Sequence, residues 1–369
     1  MARILYGLAG QGLGHASRSQ TVAEALLESG HDVRFVTSMQ AYSFLHALFP
    51  DRVHEGFGLR LVYENNRVNP WKTLHQNLRE GFLSGGLKRN ASVFKHLFHS
   101  FRPHLLISDY DPFSIYWANR FACPAISLDH QHLITHTRFQ RPPNTLRSFL
   151  LTYLITRLYY TRTRLFIITN FFNGPVHTHP AVVVPPIVRN IVRNTTPTIQ
   201  NHILAYQTRG ADADALLRTM RAVNDAPIRA YGFEQTGTHD HIHFQPRSVE
   251  GFLQDLASAK AVIASAGYNL IGECIHLRKP MLLSPIADQF EQEINAHYVQ
   301  KLGIGHACNH PTPDILRDFL RNLPHYQAQL NQTPVPSLQP TLHHIERILQ
   351  KTNNAPAAPH PPITPAQAV

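Results

Sequence analysis

Val262-Ile263-Ala264-Ser265-Ala266-Gly267-Tyr268-Asn269-Leu270-Ile271-Gly272-Glu273 runs from apolar residues through a turn of small ones into a segment of helical period. Such a strand–turn–helix is half of a βα unit, and its helix start presents unpaired amides that favour an anion. The same alternation extends on both sides. It predicts strands over Ile203–Tyr206, Ile228–Gly232, His241–Phe244, Ala261–Ala264 and Pro280–Ser284, with helices over Asp212–Val223, Val249–Ala257 and Leu270–Leu277. A second series fills the first 135 residues. Strand Arg3–Leu8 leads to helix Ser17–Ser29, whose apolar face carries Val22, Ala25 and Leu26. Strand Asp32–Thr37 and the short runs Leu105–Ser108 and Ala125–Leu128 follow. Alternation of this kind predicts two α/β units, each a doubly wound parallel sheet.

Composition narrows the function. The chain has 369 residues, 43% of them hydrophobic, which is enough for two domains with ordinary cores. Lys and Arg number 34 against 24 Asp and Glu, a net charge of +10 that suits an anionic partner. Cys123, Cys274 and Cys308 are far apart, which argues against a disulfide framework or a zinc site and fits a reducing compartment. MARILYGLAG reads as a first strand rather than a secretory signal. The longest apolar attempt, Ser148 to Thr169, is broken by Arg157, Arg162 and Arg164, so no span is expected. A cytoplasmic protein, soluble or peripheral on the inner face of the plasma membrane, is the expectation.

The excess charge is concentrated in the middle. Between Asp129 and Asp212 there is no carboxylate, while nine arginines (138, 141, 147, 157, 162, 164, 189, 193 and 209) are interleaved with Leu, Ile, Tyr and Phe. A membrane-surface helix, a nucleic-acid groove and an ordinary helix with a solvated arginine face all fit this pattern. No helix-turn-helix, RNP or zinc-finger spacing accompanies it, so no nucleic-acid partner is expected. Residues 352–369 hold five prolines and no charge, and read as a disordered tail.

Three strand ends carry polar groups suited to chemistry. Gly10-Gln11-Gly12-Leu13-Gly14-His15-Ala16-Ser17-Arg18 follows the first strand and opens a helix. The spacing is G-x-G-x-G, and the second strand ends Val36-Thr37-Ser38 without an acid for a ribose, so a dinucleotide site is disfavoured. What remains is a glycine turn presenting His15 where open α/β sheets bind ligands. Ser108-Asp109-Tyr110-Asp111 ends another strand: Asp109 is placed to orient His15, while Asp111 before Pro112 suits a helix cap. Asp129-His130 ends a third, again at the edge where a ligand would lie. His239, His241 and His243 alternate on one strand and read as surface residues, so no metal site is assigned. Glu273, one turn inside its helix, can accept two hydrogen bonds from a ribose diol, and Asp288-Gln289 can reach sugar hydroxyls.

Ser265-Ala266-Gly267-Tyr268-Asn269-Leu270-Ile271-Gly272-Glu273 resembles the donor signature His-Cys-Gly-Trp-Asn-Ser-x-x-Glu of GT-B glycosyltransferases, the superfamily of UDP-glycosyltransferases and MurG-like enzymes. Pro280, Pro285 and Asp288-Gln289 follow at nearly the expected spacing. His243-Phe244-Gln245-Pro246-Arg247 resembles the segment that holds the base, and Pro186-Ile187-Val188-Arg189 the Asn-Pro-Val-Arg of MurG-like enzymes. Gly14-His15 resembles the Gly-His whose histidine is the general base. Ser265 and Ala266 depart from the family's His-Cys, and Tyr206-Gln207-Thr208 has no glycine of its own. Overall the chain resembles a methanogen-type family of archaeal and bacterial GT-B proteins.

The resemblance implies two Rossmann-like domains facing across a cleft. Residues 1–185 would form the acceptor side and 186–330 the nucleotide-sugar donor domain, followed by a helical segment at 331–351. It implies His15 and Asp109 as catalytic residues. Gly14, Arg189, Tyr206, Pro246, Arg247, Ser265, Ala266, Gly267, Asn269, Glu273, Asp288 and Gln289 would line the donor site, and Asp111, Asp129 and His130 the acceptor side. Arg189 and the helix start would stabilise the leaving diphosphate. The implied reaction is inverting transfer from a nucleotide sugar, a UDP-sugar first, to a glycan or lipid-linked acceptor, with neither cofactor nor metal. A UDP-sugar 2-epimerase and a non-catalytic sugar-nucleotide binder share the features of that donor site.

Overall fold

The computed structural model describes residues 1–64, 67–159, 163–207 and 213–353. It contains two seven-stranded sheets and a small hairpin. The first sheet is wholly parallel, ordered Val53–Glu55, Asp32–Thr37, Arg3–Leu8, Leu105–Asp109, Ala125–Asp129, Leu165–Thr169, Ala181–Val184. Leu105–Asp109 and Ala125–Asp129 are buried along their whole length, as continuous apolar runs covered on both faces must be. Strand order reverses direction between Arg3–Leu8 and Leu105–Asp109, so a crevice opens beyond their carboxyl ends.

The second sheet is ordered Gly237–His239, Ile242–Phe244, Ile228–Tyr231, Ile203–Tyr206, Ala261–Ala264, Met281–Leu283, Gly305–Ala307, with only the first strand antiparallel. Its reversal lies between Ile203–Tyr206 and Ala261–Ala264. Each sheet therefore offers one switch-point crevice. The turn expected at Ser265–Gly267 lies at the second.

Three details differ from the sequence reading. The first helix is Gly14–Glu28, starting three residues before Ser17, because the Ser17 amide already donates to the Leu13 carbonyl at 2.9 Å. The helix at the second switch point is Tyr268–His276, capped from Gly267, so Asn269 lies in its first turn. His239, His241 and His243 do not share a strand. Asp240 adopts a left-handed conformation (φ 53°) and folds the segment into an antiparallel hairpin with His239 and His243 on opposite arms. The expected tail lies outside the described residues from 354 onward.

Two helices tie the halves together. Phe290–Lys301 connects the last two strands of the second sheet, Met281–Leu283 and Gly305–Ala307, yet Phe290, Ile294 and Tyr298 are buried in an aromatic cluster of the first half. Tyr298 stacks on Phe172 with ring centres 3.6 Å apart. Farther on, Gln339–Asn353 returns to the first sheet, burying Ile345 and Leu349 among Leu26, Val33 and Leu45, while Glu346 meets His31 at 2.9 Å. Replacing fully buried Ile345 by Ala should cost about 2–5 kcal/mol of stability, measurable by urea unfolding. A loss below about 1 kcal/mol would mean that this helix does not share the first sheet's core.

Candidate active site

The first crevice is built on one buried carboxylate. Asp109 ends its strand fully buried and accepts from three residues of the first helix: His15 Nδ1 at 2.7 Å, Arg18 Nε at 3.0 Å and Nη2 at 2.5 Å, and Ser19 Oγ at 3.3 Å. Residues 15, 18 and 19 are spaced i, i+3, i+4, so one helix face supplies all of them. Burial alone would push the Asp109 carboxyl up, but the charge of Arg18 and the hydrogen bonds from His15 and Arg18 hold it below its ordinary value. An ionised carboxylate only accepts, so Nδ1 of His15 carries the proton and Nε2 is left as the basic atom.

Backbone conformation sharpens this arrangement. The loop before the helix passes so close to the second strand that a Cβ on Gly10 would lie 2.1 Å from Ser38 Oγ, and Gly12 has φ +79°. Tyr110, next to Asp109, is left-handed at φ 55°, a conformation that costs a non-glycine residue of order 1–3 kcal/mol. Its ring lies nearly parallel to His15, with centres 6.4 Å apart.

The second crevice meets the first directly. Asn269, in the first turn of its helix, donates through Nδ2 to the Gly14 carbonyl at 2.7 Å, one residue from His15. Beside it, Tyr268 stacks on His130 at 3.8 Å and lies under the Arg18 guanidinium. Glu273 is buried and bonded at both oxygens by Arg189, at 2.6 and 3.0 Å. The two residues that the sequence assigned to ribose and diphosphate are therefore partners of each other. Tyr206 lies at the strand end against the edge of Phe252. Pro246 and Arg247 are exposed beyond Ile242–Phe244, two strands away in the sheet. Ser265 and Ala266 are buried in the turn. Asp288 is exposed and left-handed (φ 62°), and next to it the buried Gln289 Oε1 has no hydrogen-bond partner among the described residues.

A family model described as glycosyl transferase family 1 matches residues 2–324. The chain belongs to that family. No curated protein is similar enough to match it. Among solved structures, LpCGTa in complex with UDP is 14% identical with a TM-score of 0.67, covering 96% of this chain and 100% of that one. The calicheamicin glycosyltransferase CalG4 is 15% identical with a TM-score of 0.63, over 96% and 100%. MurG of Acinetobacter baumannii is 16% identical with a TM-score of 0.60, over 95% and 100%. At these identities the likeness establishes the fold, the GT-B arrangement of two sheets.

In this glycosyltransferase the three residues expected on the acceptor side, Asp111, Asp129 and His130, are buried. Asp111 caps the Pro112–Arg120 helix by accepting from the Ser114 amide at 2.9 Å, and burial raises its carboxyl to about 6. His130 is fully buried between the Thr169 carbonyl and Asn295 Oδ1, and Asp129 is fully buried against His132 and Ser127. The strand end they occupy is covered by the Phe290–Lys301 helix, so no open edge remains there. The sequence reading gave no role to Arg18, Tyr110 or Tyr268. Only the i, i+3 spacing of His15 and Arg18 signalled the first of these.

Asp129 generates a pH prediction. Burial pushes its carboxyl up, but His132 and the Ser127 hydroxyl more than offset this and hold it at about 2, below the ordinary 3.8. A depressed carboxylate contributes stability that is complete above its unfolded value and lost as pH falls through the folded one. Between about pH 4 and pH 2, unfolding free energy should fall more steeply in the native protein than in Asp129→Asn. Parallel urea-unfolding curves across that window would refute the assignment.

Proposed function

We propose that this glycosyltransferase moves a sugar from a nucleotide-sugar donor, a UDP-sugar first among them, to an acceptor hydroxyl with inversion. The observation that carries the reading is the His15–Asp109–Arg18 cluster meeting the anion-binding helix start through Asn269 and Gly14. His15 Nε2 takes the acceptor proton as the acceptor oxygen attacks the anomeric carbon. The bond from that carbon to the diphosphate breaks, and the nucleoside diphosphate leaves with the electron pair. Negative charge growing on the diphosphate falls on the first-turn amides of Tyr268 and Asn269, whose fixed dipoles need no reorganisation. The reaction so written calls on neither metal nor cofactor.

Arg189 changes role relative to the sequence expectation. Its guanidinium holds Glu273 as a charged, oriented carboxylate, which then accepts from the ribose diol, while the helix start takes the diphosphate alone. Tyr206, Pro246 and Arg247 border the base. Asp288 and Gln289 take sugar hydroxyls. Nucleotide use is supported by the UDP in the LpCGTa structure and the dTDP in that of VinC, whose fold is similar at a TM-score of 0.60. The acceptor is a glycan or lipid-linked glycan precursor, reached from the cytoplasmic face of the membrane. No helix among the described residues is long and apolar enough to cross a membrane.

A thermal-shift screen of nucleotide sugars should identify one stabilising donor. His15→Ala should then lower turnover at least ~10²-fold while leaving the donor's shift intact. Glu273→Ala should abolish that shift. Undiminished turnover without His15, or an epimerised donor recovered in the absence of acceptor, would overturn the reading.

A further inference from the structure

The Leu146–Tyr159 helix has its polarity inverted. At 100° per residue, positions 146, 147, 150, 151, 154, 157 and 158 share an arc of about 140°. All seven are exposed, and they are five leucines and two arginines. Leu150, Leu154 and Leu158 are 54%, 56% and 71% exposed. The hydroxyls point the other way: Ser148 bonds Glu293 at 2.5 Å, and Thr156 bonds the Tyr110 hydroxyl at 2.9 Å. Phe149 packs inward on Phe290. A solvated helix shows the opposite order, apolar residues in and hydroxyls out.

We infer that this face docks on the surface of an anionic lipid bilayer. Its leucines would enter the boundary between headgroups and acyl chains while Arg147 and Arg157 extend their charged ends to the lipid phosphates. Arg138 and Arg141, exposed just before the helix, and Arg164 just after it add to the same charge. No carboxylate occurs from 130 to 211, and Glu293, which bonds Ser148, does so on the inward side. A second copy of the chain fits poorly. Two-fold pairing along this helix sets Arg147 of one copy opposite Arg157 of the other, like charge on like charge with no acid between.

The helix also reaches the reaction centre. Thr156 holds Tyr110, and Tyr110 lies against His15, so the docked face lies two side chains from the base. Delivery of a lipid-borne acceptor hydroxyl to His15 rests on the proposed transfer reaction; the docking itself does not.

Flotation of the full chain tests it, with phosphatidylcholine vesicles made with or without phosphatidylglycerol. At low salt the protein should float with the phosphatidylglycerol vesicles and stay behind with phosphatidylcholine alone. Salt should release it. Leu150→Glu with Leu154→Glu, and separately Arg147→Glu with Arg157→Glu, should each lower the bound fraction at least about tenfold. Unchanged melting temperature and an unchanged UDP-induced shift would show both variants folded. Absence of flotation on the anionic vesicles, flotation indifferent to both variants, or a dimer in place of flotation that the leucine changes abolish would each overturn the inference. Vesicle binding by a protein that shows no nucleotide shift would sink the transfer reading and leave this one standing.

Discussion

A carboxylate taken wholly out of water must be matched in charge and in hydrogen bonds, and Asp109 meets that demand entirely from one helix face. Arg18 supplies the charge, and His15 and Ser19 supply further donors. Removing one partner of such a buried pair typically costs about 3–5 kcal/mol, because the remaining charge is left uncompensated. The orientation of the imidazole is thus fixed by the same interaction that fixes the first helix to the strand beside it. The fold alone sets that orientation.

The second half follows the same logic, again a buried carboxylate matched by a guanidinium. There Arg189 lies at the surface end of a buried glutamate. One hydrogen bond, from Asn269 to Gly14, fixes the separation of the two half-sites. Stacking of Tyr268 on His130 and of Tyr298 on Phe172 supports the same junction with apolar area. The strand end carrying Asp129 and His130 is buried at the same junction, although by position in its sheet it resembles the one carrying Asp109.

Strand and helix alternation and the two glycine or small-residue turns are legible in the sequence because each depends on neighbours or on a regular period, and His15 pairs with Asp109, 94 positions away, because each follows or ends an adjacent strand of one sheet. What the sequence hid depends on distant residues. Nothing near His130 announces Asn295, 165 positions away, so an open and a covered strand end read alike. Arg18 escaped notice because the helix was started at Ser17, which removes His15 from its face. The hairpin at Asp240 lacked the glycine that usually marks a left-handed turn. The Leu146–Tyr159 segment was recognised as basic and apolar from composition. Which of its faces looked outward required the burial of Ser148 and Thr156.

The return of the Gln339–Asn353 helix to the first sheet means that the polypeptide passes between the two halves twice, through residues 185–202 and again through 333–338. Two covalent straps restrict relative movement as two pins restrict a door. Of the possible relative movements, rotation about the line joining the straps is the one they hinder least.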